Sequence, residues 1–198
     1  MELILDGESY GEELNLEELP GKIQEYIDKM NLEGRLVKNA YINGKSASGL
    51  VKNPEAIKDV AKEQEVERIE LVSVTQEELV DETLETITGY ISNVKEYTHK
   101  LAHSIQSGDI PDKDSLLQLT DGLEWIFQAS NGLIITLQDS ELKEKVDDLQ
   151  DTFGEILKSL KNEDYKSFGD ILDNELGDKL EGLRKYFGEK IQVRKVDE

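Results

Sequence analysis

LLQLTDGLEWIFQASNGLIITL, residues 116–137, is the most apolar stretch of the chain and holds its one tryptophan, Trp125. Leu116, Leu119, Leu123, Ile126, Ser130, Leu133 and Leu137 recur at spacings of three and four, which places them on one face of an α-helix. Leu117, Trp125, Phe127, Ile134 and Ile135 spread onto the flanks. A helix apolar over most of its circumference is expected to be enclosed by neighbours, with Trp125 largely buried near the margin of the assembly. Gln118, Asp121, Glu124, Gln128 and Asn131 interrupt the run, so it falls short of the about 20 apolar residues needed to cross a bilayer, and no membrane insertion is expected. Gly122, Ala129, Ser130 and Gly132 are small and read as points of close helix packing.

The segments around this stretch supply its wrapping. Thr75 and Glu78 form a capping box, after which Val80, Leu84, Ile87, Ile91, Val94, Thr98, Leu101 and Ile105 step by four and three as far as Gly108 and Pro111. That is one helix of about 30 residues. Asp112 opens the central helix, and a third seam runs through Leu142, Val146, Leu149, Phe153, Ile156 and Leu160 after Asp139 and Ser140. A fourth begins near Asp164 and carries Tyr165, Phe168, Leu172, Leu176, Leu180, Leu183, Phe187 and Ile191. Four amphipathic helices joined by short loops predict an antiparallel four-helix bundle over residues 75–192, followed by a frayed tail at 193–198.

Residues 1–74 read differently, as a small α+β domain. Leu3 and Leu5 alternate with polar neighbours up to the turn dipeptide of Asp6 and Gly7, which predicts a hairpin with a second strand over 9–14. Asn15 with Glu18 predicts a helix carrying Leu16, Leu19, Ile23, Tyr26, Ile27 and Met30, with Pro20 in its first turn and Gly34 at its end. Arg35–Ile42 reads as a strand into the hairpin turn of Asn43 and Gly44, and 45–51 as the returning edge strand. Pro54 opens a short helix through Ile57, Val60 and Ala61, and VERIELVSV at 66–74 is the last strand. This order resembles the ubiquitin-like β-grasp fold, and AYINGK at 40–45 looks like the strand and turn of small sulfur-carrier proteins. Those carriers end in a free Gly-Gly tail, whereas here the last strand runs on into Thr75. The resemblance therefore implies a β-grasp-like fold and a binding use of it, not sulfur carriage.

The chain has 198 residues, 37% of them hydrophobic, and 44 acids against 23 bases give a net charge of −21. Such a balance argues against nucleic acid as a partner and leaves two readings, solubility in salt or attraction of a basic protein. Residues 76–198 carry 28 of the acids and 14 of the bases, so a basic partner would be drawn to the helical part first. Arg occurs only at 35, 68, 184 and 194, which leaves few bidentate clamps for a phosphate or carboxylate substrate. Absence of cysteine removes disulfides, thiolate metal sites and thiol catalysis together. MELILDGESY has neither the basic start nor the apolar core of a secretory signal, and the expected location is the cytoplasm.

No catalytic or cofactor set assembles from the sequence. His99 and His103 are the only histidines, and with Glu96 they form a weak surface metal candidate. At 100° per residue the two rings point about 130° and 170° away from the Thr98 and Leu101 seam, so the helix face they occupy is expected to be solvated. Asp109, Asp112 and Asp114 fail the spacing of a calcium loop, because Leu117 and Leu123 stand where Gly and Glu are required. GKSASG at 44–49 has the glycines and lysine of a phosphate loop in the wrong order. The expected function is thus a non-catalytic protein-interaction module, an adaptor or chaperone-like protein without cofactor. Trp125, Asp170, Asp173 and Glu175 are its partner-binding candidates, and the partner is expected to be basic or helical. A homodimer is a further expectation. The alternative is a small-ligand binder or enzyme with a pocket between the sheet domain and the bundle.

Overall fold

Asp6 and Gly7 lie in the left-handed region at φ 49° and 83°, and Asn43 and Gly44 at 50° and 79°, so both dipeptides make the tight hairpin turns their residue types favour. The structure, a computed structural model, describes residues 1–10 and 14–196. It is α+β, mostly helical, and divides into two compact units, Met1–Leu79 and Val80–Glu198.

In the first unit a mixed sheet has the order β2-β1-β5-β3-β4. The strands are β1 (Glu2–Leu5), β2 (Glu8–Ser9), β3 (Arg35–Ile42), β4 (Lys45–Ser46) and β5 (Arg68–Thr75). β1 runs parallel to β5, with Leu3 opposite Ile69, and β3 runs antiparallel to β5, with Ile42 opposite Ile69. Three expectations need correction here. The strand placed at 9–14 is the two residues of β2; residues 11–13 of that prediction lie outside the described residues. The strand placed at 45–51 ends at Ser46 and gives way to the short helix α2 (Gly49–Lys52), which buries Leu50. Asn15 does accept the Glu18 N–H at 3.0 Å, but it closes a turn ahead of α1 (Leu19–Leu32), since Pro20 is tolerated only in a first helical turn. Leu19, Ile23, Tyr26 and Met30 of α1 pack with Leu3, Val37, Ala40, Ile69 and Leu71 of the sheet and with Ile57 of α3 (Ile57–Glu63).

The second unit contains helices and the loops between them, with no strand among its described residues. α4 (Gln76–Gln106) starts at the predicted capping box, where Thr75 Oγ1 accepts the Glu78 N–H and Glu78 Oε2 accepts the Thr75 N–H at 2.7 Å. Every residue of its predicted seam is buried. α5 (Lys113–Leu137), α6 (Ser140–Lys161) and α7 (Tyr165–Asp170) are each capped by the preceding aspartate, Asp112, Asp139 and Asp164. A π-helical turn, Ile171–Leu176, leads directly into α8 (Gly177–Val196). One apolar cluster joins them all.

Side-chain pairs tie each helix to its neighbours. Tyr90 of α4 lies against Trp125 of α5 with ring centroids 4.5 Å apart, and Phe127 of α5 against Phe153 of α6 at 5.8 Å. Lys179 of α8 binds Asp148 of α6 at 2.8 Å, and Glu181 accepts from both Lys95 of α4 and Arg184. Hydrogen bonds from Arg184 and Lys95 outweigh desolvation and hold the Glu181 carboxyl down at about 2. The tail expected to fray is helical through Val196, because Arg194 pairs with Asp81 and Lys195 with Glu85 of α4; residues 197 and 198 lie outside the described residues.

Three packing expectations are revised. α5 is not fully enclosed: α4 and α6 cover its flanks, and the side turned away from the core leaves Ile135 78% and Leu117 47% exposed. Among the small residues of α5, Gly122 does make room, since a Cβ there would stand 3.2 Å from a Val94 methyl, while Gly132 faces open space. Ser130 is fully buried and its hydroxyl has no hydrogen-bond partner. On α6 the inner positions fall to Thr152 and Ser159, and the larger Phe153 and Leu160 are half-buried at the flank. Among the described residues no helix is long and apolar enough to cross a membrane.

Candidate functional site

α4 ends where Gly108, at φ 98°, turns the chain: its N–H bonds the Ile105 carbonyl at 2.9 Å, and the Asp109 N–H bonds the Ser104 carbonyl at 3.2 Å. This double closure is available to glycine at little steric cost, and it satisfies carbonyls that a helix end would otherwise leave open. Ser104 Oγ donates to Asp109 Oδ2 at 2.7 Å, which fixes that carboxylate, and Ile110 then projects outward, 70% exposed. On the facing side α7 comes close because residue 169 is glycine, and a Cβ there would stand 3.1 Å from the Ile105 side chain. The approach sets Tyr165, Lys166 and Asp170 opposite Ile105, Gln106 and the loop. A groove of 410 Å³ results. Its apolar lining is Ile105, Ile110 and Tyr165, and its polar lining is Gln106, Asp109, Lys166 and Asp170, two carboxylates and one ammonium.

The acidic candidates divide at this groove. Asp170 lines it. Asp173, one turn on in the π-helical segment, accepts from Gln106 Nε2 at 3.5 Å and stands 3.0 Å from His99 Nδ1. Glu175 is exposed. Trp125 is in another place, half-buried on α5 against Tyr90. The structure therefore brings together Asp170 and Asp173 and leaves Trp125 apart. Ile110, which carries the most exposed apolar surface of the site, was not singled out by sequence. An isolated isoleucine between Asp109 and Pro111 has no periodicity, and its exposure depends on the turn at Gly108.

The weak metal candidates are not drawn together. Glu96 accepts from Lys100 at 2.5 Å, a bond that lowers its carboxyl below the usual range, and His99 faces Asp173 while His103 is exposed. Among the described residues no group of three His, Cys, Asp or Glu side chains is placed to hold a metal ion.

A second polar cluster lies within the first unit. Asp6 accepts from the Ser73 N–H, the Ser73 hydroxyl and the Tyr26 hydroxyl, each at 2.6 Å, and Arg35 Nε donates to Ser73 Oγ at 2.8 Å. Burial tends to raise the Asp6 carboxyl, but the Ser73 and Tyr26 hydrogen bonds bring it below its ordinary value; burial and the same carboxylate push Tyr26 up to about 12. Three hydrogen bonds on one carboxylate fasten the first hairpin turn to β5 and α1.

A family model described as "Domain of unknown function (DUF8042)" matches residues 82–186, more than half of the chain, and the chain belongs to that family. The match spans the helices from α4 into α8 and includes the groove. No curated protein and no solved structure matches the chain.

Proposed function

We propose that this member of the family is a non-catalytic, cytoplasmic protein-interaction module whose helical unit receives a basic, amphipathic helix of a partner in the groove beside Gly108. We read that unit as an antiparallel four-helix bundle, a reading supported by the cross-helix pairs Tyr90 with Trp125, Phe127 with Phe153, Lys179 with Asp148 and Lys95 with Glu181. The first unit we read as β-grasp-like, on the strength of its strand order and its parallel β1 and β5.

One observation carries the functional reading: Ile110 stands 70% exposed at a groove whose other apolar wall is Ile105 and Tyr165 and whose charged lining is Asp109, Asp170 and Lys166, two carboxylates against one ammonium. An apolar trench in which carboxylates outnumber ammonium groups suits a helix that presents leucines on one side and lysines beside them. The high acidity of the unit adds long-range attraction for such a partner. A photo-crosslinking side chain placed at Ile110 in the full chain should capture one partner protein in cells of the source organism. Capture should fail when Asp170→Lys is added. A control crosslinker at Leu32, which is 90% exposed in the first unit, should not capture it, and equal capture from both positions counts against the proposal.

A further inference from the structure

The outward side of α5 carries a row of six exposed residues, Leu117, Asp121, Glu124, Gln128, Asn131 and Ile135. Their steps of four, three, four, three and four average 3.6 residues, so the row runs straight along the helix for about 27 Å. The helix that bears it is poor in charge. In a chain with 34% charged residues, α5 has charge only at Lys113, Asp114, Asp121 and Glu124, and none beyond Glu124.

The row is complementary to itself when reversed. Position i faces position 252 minus i if two copies of α5 pack antiparallel about a two-fold axis level with residue 126. Leu117 then meets Ile135 of the second copy, Asp121 meets Asn131, and Glu124 meets Gln128. Each carboxylate faces the amide of its own length, which can donate to it, and no two carboxylates face each other. We propose that this face of α5 binds a second copy of the chain, forming an antiparallel, two-fold symmetric homodimer with those pairs in register. This goes beyond the groove reading and uses a different face of the same unit. A basic helix is the poorer occupant here, because two carboxylates along the row offer it little charge, whereas a second copy satisfies apolar ends and polar centre together. The two-fold arrangement is also the commonest closed symmetry for a self-complementary patch.

One helix pair packed at about 8–10 Å between axes is a small interface, so the dimer is weak. Sedimentation equilibrium of the full chain from about 5 μM to 1 mM at 0.15 M salt should show it. Ile135→Asp should abolish the dimer while leaving the melting temperature unchanged, since the side chain is 78% exposed. Asn131→Lys should tighten it by about fivefold, because the symmetry creates two ammonium–carboxylate pairs with Asp121. Adding Asp121→Lys to that variant should reverse the gain and weaken the dimer below wild type. Gln192→Lys makes the same change in net charge away from the row and should leave affinity near that of wild type. A chain that stays monomeric to 1 mM overturns the proposal. So does a dimer that ignores Ile135→Asp, or one tightened equally by Gln192→Lys.

Discussion

Asp139 does two things at once, and its variants can separate them. Its Oδ1 accepts the Leu142 N–H at 3.0 Å as the cap of α6, and its Oδ2 receives the Tyr186 hydroxyl at 2.6 Å and the Lys190 ammonium at 2.9 Å from α8. Burial tends to raise this carboxyl, but the hydrogen bonds from Lys190, Tyr186 and the Leu142 N–H outweigh it and bring it from 3.8 to about 2. The folded state thus favours the ionised form. The stability this contributes is complete above pH 3.8 and is lost as pH falls from there to about 2. Asn caps a helix about as well as Asp but carries no charge. Asp139→Asn should therefore melt below wild type at neutral pH, with the gap closing between pH 3.8 and about 2, whereas Asp139→Ala should lose about a further 1 kcal/mol at every pH. Thermal melts of the three proteins against pH decide it, and a gap that stays constant into acid would show that the ion pair contributes nothing.

At the scale of elements, the π-helical turn has a readable origin. Phe168, Leu172, Leu176 and Leu180 are separated by three successive steps of four, and a 3.6-residue helix would rotate such a series steadily off the core. Widening one turn, Ile171–Leu176, restores the register, and all four side chains remain buried. Deleting the exposed Asn174 shortens one of those steps to three and leaves alternating fours and threes. That variant is expected to keep a cooperative melt with an ordinary helix in place of the wide turn. Deleting the exposed Lys185, where spacing is already regular, should instead swing Tyr186 and Phe187 about 100° off the core and unfold the unit. Circular dichroism melts compare the two, and equal tolerance would mean that the wide turn is not a register device. The same arithmetic explains what was legible in the sequence. The α4 seam and the helix starts at Asp112, Asp139 and Asp164 are legible because each rests on neighbours a few residues away. β4 was overextended because lysine, serine and alanine alternate without showing that Leu50 would be claimed by a helix. The exposed side of α5 was missed because apolar content around a helix does not say how many neighbours it has. Of the candidate site, only Asp170 was visible; the groove needs Gly108, Gly169 and Ile110 in three dimensions.

For the molecule as a whole, a net charge of −21 and many ion pairs act at different ranges, and salt tells them apart. The cross-helix pairs Lys95 with Glu181, Lys179 with Asp148 and Lys190 with Asp139 are 2.8 to 2.9 Å apart. That is far inside the screening length at any ordinary ionic strength, which is about 30 Å at 0.01 M and about 8 Å at 0.15 M. Raising salt across this range therefore weakens the pairs little. Repulsion among the excess carboxylates acts over the width of each unit, so the same change removes most of it. The two effects have opposite signs, and the distances decide in favour of stabilisation. The melting temperature should rise between 0.01 M and 0.15 M sodium chloride, by several degrees if about 1 kcal/mol of repulsion is relieved in a unit of this size. Choline chloride should reproduce the rise, because screening depends on ionic strength and not on the cation. A melting temperature that falls over this range would mean that ion pairing outweighs repulsion, and a rise with sodium but not choline would point to bound cations instead of screening.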